Sequence, residues 1–437
     1  MKKGNWKALL PIGVFLIFYL GLGILFEYIL KIPMGFYQIP IVVSFLIALL
    51  VACVQNPSLG FQEKLQVMAS GVGDPNIITM ILIFMTAGIF VGVVGRSSAQ
   101  SVAYFLLSMI PSQYAVLVLF VVSCFVSLAM GTSVGTITLI TPIAIAVSQA
   151  SGFHAPLCVG AVMSGAMFGD NLSFISDTTI AACNGQGCAM KDKFRANFAI
   201  TVPAALVTLV IFLMRSKDVA AGAAVPGEYR LIQIIPYLLV LAGGIIGINV
   251  FVVLLIGIVS GSVIMLATGA TAATDLFANM GSGAAGMYET TMVAILVAAI
   301  CALIQKNDGF TALLSFTRRV FKSNRAGKLG MGLLVGAMDI ATANNTVAIV
   351  IANPIAREMA QEYDISPKNA ASILDTFSCI FQGVIPYGAQ MLVAISAAAE
   401  LGCGMSAFDV MPYLIYPYML LLSSLVFMFL IPEKKGQ

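Results

Sequence analysis

Two carboxylates stand close together in the stretch FGDNLSFISDTTIAA, residues 168–182. Asp170 and Asp177 are accompanied there by five small polar residues: Asn171, Ser173, Ser176, Thr178 and Thr179. Oxygen atoms of these groups are ligands for hard cations, and a carboxylate can also exchange a proton. The stretch therefore has the composition of a site for a small cation, for a proton, or for both.

The chain around this stretch avoids charge. Of its 437 residues, 60% are hydrophobic and only 9% are charged, whereas a soluble domain carries about 25% charged residues. We therefore predict an all-α polytopic membrane protein. Its apolar runs approach or reach the ~20 residues that a spanning helix needs; they are 8–30, 40–55, 76–94, 196–214, 231–248, 249–267, 288–305 and 411–431.

Several other functional classes find no support in the sequence. The net charge of +3 does not indicate nucleic-acid binding, because the basic residues flank apolar runs. Cys183 and Cys188 are five residues apart, but neither a second cysteine pair nor the single histidine, His154, supports a metal site with them. We find no nucleophile with a neighbouring base and no phosphate loop, so we expect neither an enzyme nor a cofactor.

The two halves of the chain repeat a pattern at an offset of 212 residues. Pro142 then pairs with Pro354, and residues 169–178 pair with residues 381–390. The register needs no gap over about 100 residues. We therefore predict two homologous transmembrane repeats, 1–217 and 229–437.

Basic residues predict how these repeats lie in the membrane. Each repeat is expected to hold a re-entrant hairpin, 114–150 or 329–362, and a broken crossing helix, 155–186 or 368–398. With both termini in the cytoplasm of a prokaryotic cell, all but five of the 22 Lys and Arg residues are cytoplasmic, as the positive-inside rule requires. Each repeat then crosses the cytoplasmic membrane an odd number of times, which gives the repeats inverted topology.

The predicted ion site lies in the first repeat. A carboxylate at mid-membrane needs a cavity or a partner, and irregular backbone needs protein or water beside it. We expect Gly169 to permit the break, the freed carbonyls of residues 168–173 to act as ligands, and Asp170 and Asp177 to bind Na⁺. The remaining candidates are small polar residues of the broken segment and of the first hairpin tip: Asn171, Ser173, Thr178, Thr132, Ser133 and Thr136.

The second repeat offers an amide-rich counterpart. It could bind substrate or be structural, and Asn344 and Asn345 could instead cap the hairpin helices. Asp339 could likewise belong to the site or cap a helix. The candidates are Asn344, Asn345, Thr346, Asp375, Gln382 and Gln390.

These motifs carry a family resemblance. MGTSVGT with a following proline, FGDNLSFISDTTIAA and KDKFRANF resemble the NhaC-type Na⁺/H⁺ antiporters of the ion transporter superfamily, over nearly the whole chain. The family core motif runs G-D-x-x-S-P-x-S-D-T-T, and Phe174 stands where the family has proline. The resemblance implies secondary active transport, with Na⁺ exchanged for H⁺ in most members and organic acids or amino acids carried by others.

We therefore expect a Na⁺/H⁺ antiporter that works by alternating access. The alternative is a Na⁺-coupled or exchange transporter of a small organic acid or amino acid, since the amides of the second repeat exceed the needs of a bare cation. A channel is disfavoured by two pseudo-equivalent broken helices. The expected partners are Na⁺, H⁺, the lipid bilayer and, in the alternative, the organic solute; nucleic acid is not among them, and the sequence is compatible with a homodimer.

Overall fold

The structure is a computed structural model that describes residues 4–31, 38–57, 59–173, 176–216, 228–246 and 248–430. All regular secondary structure in these ranges is helical. In chain order the helices are α1 Trp6–Ile24, α2 Ile41–Val54, α3 Phe61–Val72, α4 Pro75–Met109, α5 Ala115–Met130, α6 Ser133–Ser151, α7 Ala155–Leu172, α8 Asp177–Gln186, α9 Met190–Ser216, α10 Leu231–Ile246, α11 Val250–Ala267, α12 Ala273–Gly286, α13 Tyr288–Lys306, α14 Gly309–Val320, α15 Asn324–Thr342, α16 Asn345–Glu362, α17 Pro367–Val384, α18 Ala389–Glu400, α19 Ala407–Val410 and α20 Ile415–Leu430.

The helices have the length and composition of membrane spans. Within the described residues, eight helical segments are long and apolar enough to cross a bilayer, and a ninth is added if the bent segments 407–413 and 415–429 count as one. Large apolar side chains such as Ile17, Leu50 and Val54 lie exposed on the outer faces, where lipid would cover them. The chain is therefore a polytopic α-helical membrane protein, as predicted.

The helix boundaries recur at the sequence offset. Helices α3, α6, α7 and α8 each begin 212 residues before α12, α16, α17 and α18. Left-handed backbone also recurs at this offset, at Gly131 and Ala343 and again at Gly152 and Asp364. The repeat bounds and their inverted orientation remain predictions.

Three features of the fold differ from the hydropathy prediction. Helix α4 does not end near residue 94 but continues to Met109 through a kink at Gly95, whose φ of 60° favours glycine. Helix α2 has only 14 residues, fewer than a full span needs. Helices α3, α12 and α14 were not predicted, because their mixed polar composition produces no long apolar run.

Two hairpins and two broken helices position the candidate site. The first hairpin is α5–α6 and the second is α15–α16; each joins its helices through a two-residue turn. The broken helices are α7/α8 and α17/α18. All four elements meet at one polar cavity.

Candidate functional site

The turn of the first hairpin is fixed by its own residues. Helix α5 ends at Gly131, in left-handed backbone with φ 67°, which glycine adopts without a steric cost. Thr132 then caps α6, since its side chain accepts a hydrogen bond from the Gly135 N–H at 3.3 Å. Ser133 is thereby the first residue of α6 and lies at the tip of the hairpin.

The second hairpin builds the same turn with different residues. Ala343 takes the left-handed conformation at φ 48°, a strained position for a residue with a side chain. Asn344 caps α16 by accepting from the Val347 N–H at 3.0 Å, and Asn345 accepts from the Thr346 N–H at 3.0 Å. Asn344, Asn345 and Thr346 also line the cavity, so capping and a place at the site are not alternatives here.

The break of the first crossing helix lies later than the sequence suggested. Helix α7 runs to Leu172, so Gly169 is helical and does not create the break. Instead Gly169 lets α7 pack closely on α5, because a Cβ there would lie 2.4 Å from the Leu128 nitrogen and 2.6 Å from the Cys124 oxygen. Phe174 lies outside the described residues, so its effect on the break stays open.

Asp170 joins three of the elements that meet at the cavity. Its Oδ2 accepts from Ser133 Oγ at 2.7 Å, and its Oδ1 accepts from Ser176 Oγ at 2.6 Å. Ser133 Oγ in turn accepts from Gln390 Nε2 at 3.0 Å, which brings in α18 from the second half of the chain. Ser176 Oγ lies 2.7 Å from Thr178 Oγ1. A buried carboxylate is thus held by hydroxyl groups that can donate to it or face a cation.

The cavity has a volume of about 300 Å³ and collects most of the predicted site residues. Asp177 begins α8 beside it, with its side chain exposed, whereas Asp170 is buried. Gln382 and Gln390 contribute side-chain oxygens that have no hydrogen-bond partner among the described residues. Thr79, Met80 and Asn249 also line the cavity, although the sequence did not single them out. The predicted residues that line it are Thr132, Ser133, Asp170, Asp177, Thr178, Asn344, Asn345, Thr346, Gln382 and Gln390.

Four predicted residues do not line this cavity. Thr136 Oγ1 donates to the Thr132 carbonyl in its own helix, and Ser173 Oγ donates to the Leu128 carbonyl at 2.9 Å. Asn171 and Asp375 lie in a separate buried cluster. Thr136 and Ser173 thus donate to backbone carbonyls, as hydroxyl groups in membrane helices often do.

The expectation that the freed carbonyls of residues 168–173 bind an ion at the cavity does not hold for Asn171 and Ser173, whose carbonyls accept from protein donors. The Asn171 carbonyl accepts from Lys193 Nζ and from Asn197 Nδ2, each at 2.9 Å. The Ser173 carbonyl accepts from Thr179 Oγ1 at 2.9 Å. Protein donors thus occupy these oxygens, because backbone groups buried away from water must be paired.

Sequence reasoning missed Lys193 and misplaced Asp375. The topology prediction counted Lys193 only as one of the cytoplasmic basic residues, but it lies in α9 with 1% of its side chain exposed. Its Nζ forms an ion pair with Asp375 Oδ2 at 2.5 Å. Asn197, one helical turn further on, donates to the same Asp375 oxygen at 3.0 Å. A signal was present only in the spacing K-x-x-x-N of α9, which places both residues on one helical face.

The sequence matches a family model over both halves of the chain. The sequence model of the Na⁺/H⁺ antiporter family matches residues 9–217 and 219–431. The Na⁺/H⁺ antiporter NhaC of Bacillus subtilis is 24% identical over 382 residues, which cover 79% of this chain and 83% of the relative. The malate-2H⁺/Na⁺-lactate antiporter of the same organism is 29% identical over 213 residues, 48% of this chain and 44% of that protein.

Among solved structures, the YdaH transporter of Alcanivorax borkumensis aligns with 89% of this chain and 97% of its own, at 14% identity and a TM-score of 0.47. A score at this level does not establish a shared fold. The family match, by contrast, extends over nearly the whole sequence and includes both hairpins and both broken helices. The chain belongs to the Na⁺/H⁺ antiporter family.

Proposed function

We propose that this chain exchanges Na⁺ for H⁺ across the membrane, with Asp170 and Asp177 as the ion site. The observation that carries the proposal is that both carboxylates line one polar cavity. Asp170 is buried and braced by two hydroxyl donors, and Asp177 is exposed beside it. Family membership supports the choice of ions.

The exchange follows from competition for the same oxygen atoms. A carboxylate oxygen that carries a proton cannot also bind Na⁺, so the site holds one or the other. If the site opens to one side of the membrane at a time, Na⁺ released on one side is replaced by a proton from that side. Because both ions use the same site, a concentration gradient of either ion can drive the other, and no cofactor is required. The membrane potential contributes only if the exchange moves net charge, at about 2.3 kcal/mol per charge across 100 mV.

Alternating access is supported by the repeated architecture. The two hairpin tips approach one cavity from different halves of the chain, and the helix starts recur at a constant offset. We propose that the repeats 1–217 and 229–437 have inverted orientation, with both termini in the cytoplasm and the protein in the prokaryotic cytoplasmic membrane. The site is built within one chain, so a homodimer would contain two independent sites.

The volume of the cavity favours a second candidate function. About 300 Å³ is far more space than a bare cation fills, and it lies at the lower end of the range for small-molecule pockets. Asn344, Asn345, Gln382 and Gln390 could orient a carboxylate or an amino group. One relative is named for malate and lactate exchange, so we keep a Na⁺-coupled or exchanged small organic acid or amino acid as the alternative.

The test is ion exchange by the purified full-length chain in proteoliposomes that contain a pH-sensitive dye. A Na⁺ pulse should alkalinise or acidify the lumen according to the direction of the gradient, whereas choline should not. Protein-free liposomes are the control. Proton movement that requires an added organic acid or amino acid would favour the alternative, and no Na⁺-dependent proton movement under any of these conditions would exclude the proposed exchange.

A further inference from the structure

A second buried cluster lies next to the cavity, centred on the Lys193 ammonium group. Lys193 Nζ contacts Asp375 Oδ2 at 2.5 Å, the Asn171 carbonyl at 2.9 Å and Thr179 Oγ1 at 2.7 Å. An ammonium group has three protons to donate, and these three oxygens use them all. Asn197 Nδ2 completes the cluster by donating to Asp375 Oδ2 and to the Asn171 carbonyl.

The oxygen atoms around this ammonium group are of the types that bind a monovalent metal ion. A carboxylate, a backbone carbonyl and a hydroxyl are the oxygen types that coordinate Na⁺ in transporters, where carbonyls near a helix break are common ligands. Asp375 also keeps a buried oxygen, Oδ1, without a hydrogen-bond partner among the described residues. The three acceptors satisfy the three protons of the ammonium group, whereas Asp375 Oδ1 is left over as a further oxygen that a metal ion in its place could bind.

We propose that this cluster is a second monovalent-cation site, which the chain fills with its own ammonium group. Lys193 acts there as a tethered cation, and Asp375, Asn171 and Thr179 are the ligands. The site is distinct from the cavity, because neither Lys193 nor Asp375 lines it. It is nevertheless linked to the cavity through Asn171, the residue that follows Asp170 in α7.

The inference has a consequence for transport that rests on the proposed exchange of Na⁺ for H⁺. With Lys193 in place, its ammonium group neutralises the Asp375 carboxylate. The chain therefore binds one Na⁺ fewer than it would if Asp375 were free to bind this ion. Removal of the ammonium group should open this site to Na⁺. This part of the inference concerns binding, and it can be measured without transport.

The decisive variant is Lys193→Met, which retains a side chain as far as the position of Cε and leaves the position of Nζ free. It is made in a background of Asp170→Asn with Asp177→Asn, which disables the cavity site. Thermal unfolding of the purified full-length variants is followed in NaCl and in choline chloride at equal ionic strength. The matched control adds Asp375→Asn to Lys193→Met, which removes the charge that would hold Na⁺.

Lys193→Met should unfold several degrees lower than its background in choline chloride, because Asp375 then keeps only amide donors and has no opposite charge to neutralise it. NaCl should restore the loss saturably, since a ligand that binds only the folded state stabilises it. Binding of ²²Na⁺ should rise by about one ion per chain. The control with Asp375→Asn should show neither the loss in choline chloride nor the gain in NaCl.

Equal unfolding of Lys193→Met in both salts, or a failure to fold in either, would overturn the inference, because the ammonium group would then have a structural role only. A Na⁺ effect in the background itself would count against the cavity as the ion site. The difference between the background and Lys193→Met would still measure the second site, so the two proposals fail separately.

Discussion

The substitution Asp170→Asn tests the proposed ion site most directly. Asparagine has nearly the same size as aspartate and keeps one side-chain oxygen, but it has no charge and cannot exchange a proton. In the structure both Asp170 oxygens accept hydroxyl hydrogen bonds, from Ser133 and Ser176. The new amide can accept from one hydroxyl and donate to the other, so we expect a stability cost of only about 1 kcal/mol.

The effect on ion binding should be much larger. Unit charges roughly 4 Å apart at a partly screened site interact with about 4 kcal/mol. Loss of that attraction lowers the affinity for Na⁺ by about a thousandfold, beyond the range of a transport assay. We therefore expect Asp170→Asn to abolish Na⁺-driven proton movement while the variant stays folded and inserted.

The assay is luminal pH in proteoliposomes after Na⁺ pulses of increasing concentration, together with thermal unfolding in detergent. Asp275→Asn is the matched control, because Asp275 is exposed in the first turn of α12 and does not line the cavity. Saturable exchange by Asp170→Asn with a Na⁺ KM within a few fold of the wild type would refute the assignment of this carboxylate to the ion site.

Three further perturbations test other parts of the structure. Asp177→Asn should also abolish exchange at a stability cost below about 1 kcal/mol, since the exposed side chain loses only its favourable place at the start of α8; wild-type exchange would remove Asp177 from the site. Gly169→Ala should lower the free energy of unfolding by about 1–3 kcal/mol because its Cβ meets the α5 backbone. Gly281→Ala, inside α12 with no atom within 4 Å of the added Cβ, should instead raise it by up to about 1 kcal/mol in the same experiment, since alanine favours the helix. In a cysteine-free background, a membrane-impermeant thiol reagent added outside cells should label Gly222→Cys, which lies outside the described residues, but not Ala189→Cys; the opposite labelling would reverse the predicted orientation.

The sequence was sufficient for features that depend on local pattern. Long apolar runs with little charge predicted a helical membrane protein, because hydropathy over about 20 residues measures the cost of leaving water. The tips of both hairpins were found within a few residues, since Gly131 and the cap residues Thr132 and Asn344 have strong local preferences. Asp170 and Asp177 stood out as candidates because carboxylates are costly in an apolar segment, and both line the cavity.

Contacts between distant segments required the tertiary structure. Gln390 donates to Ser133 across 257 residues of sequence, and Lys193 pairs with Asp375 from a segment that the charge pattern assigned only to the cytoplasmic side. Hydropathy scores each lysine by itself. It therefore cannot detect a carboxylate on another helix whose charge offsets the cost of burying the lysine ammonium group.

The position of the helix break shows the same division. A glycine beside two polar residues suggested a break at Gly169, but the backbone stays helical to Leu172. Glycine serves there to bring α7 against α5, with no room for a side chain between them. Sequence alone determined that this segment lies in the membrane and carries the carboxylates. Which of its oxygens face the cavity was decided only by the packing of α5, α6, α9 and α17 around it. Donors on neighbouring helices pair with some of these oxygens, and those that remain face the cavity.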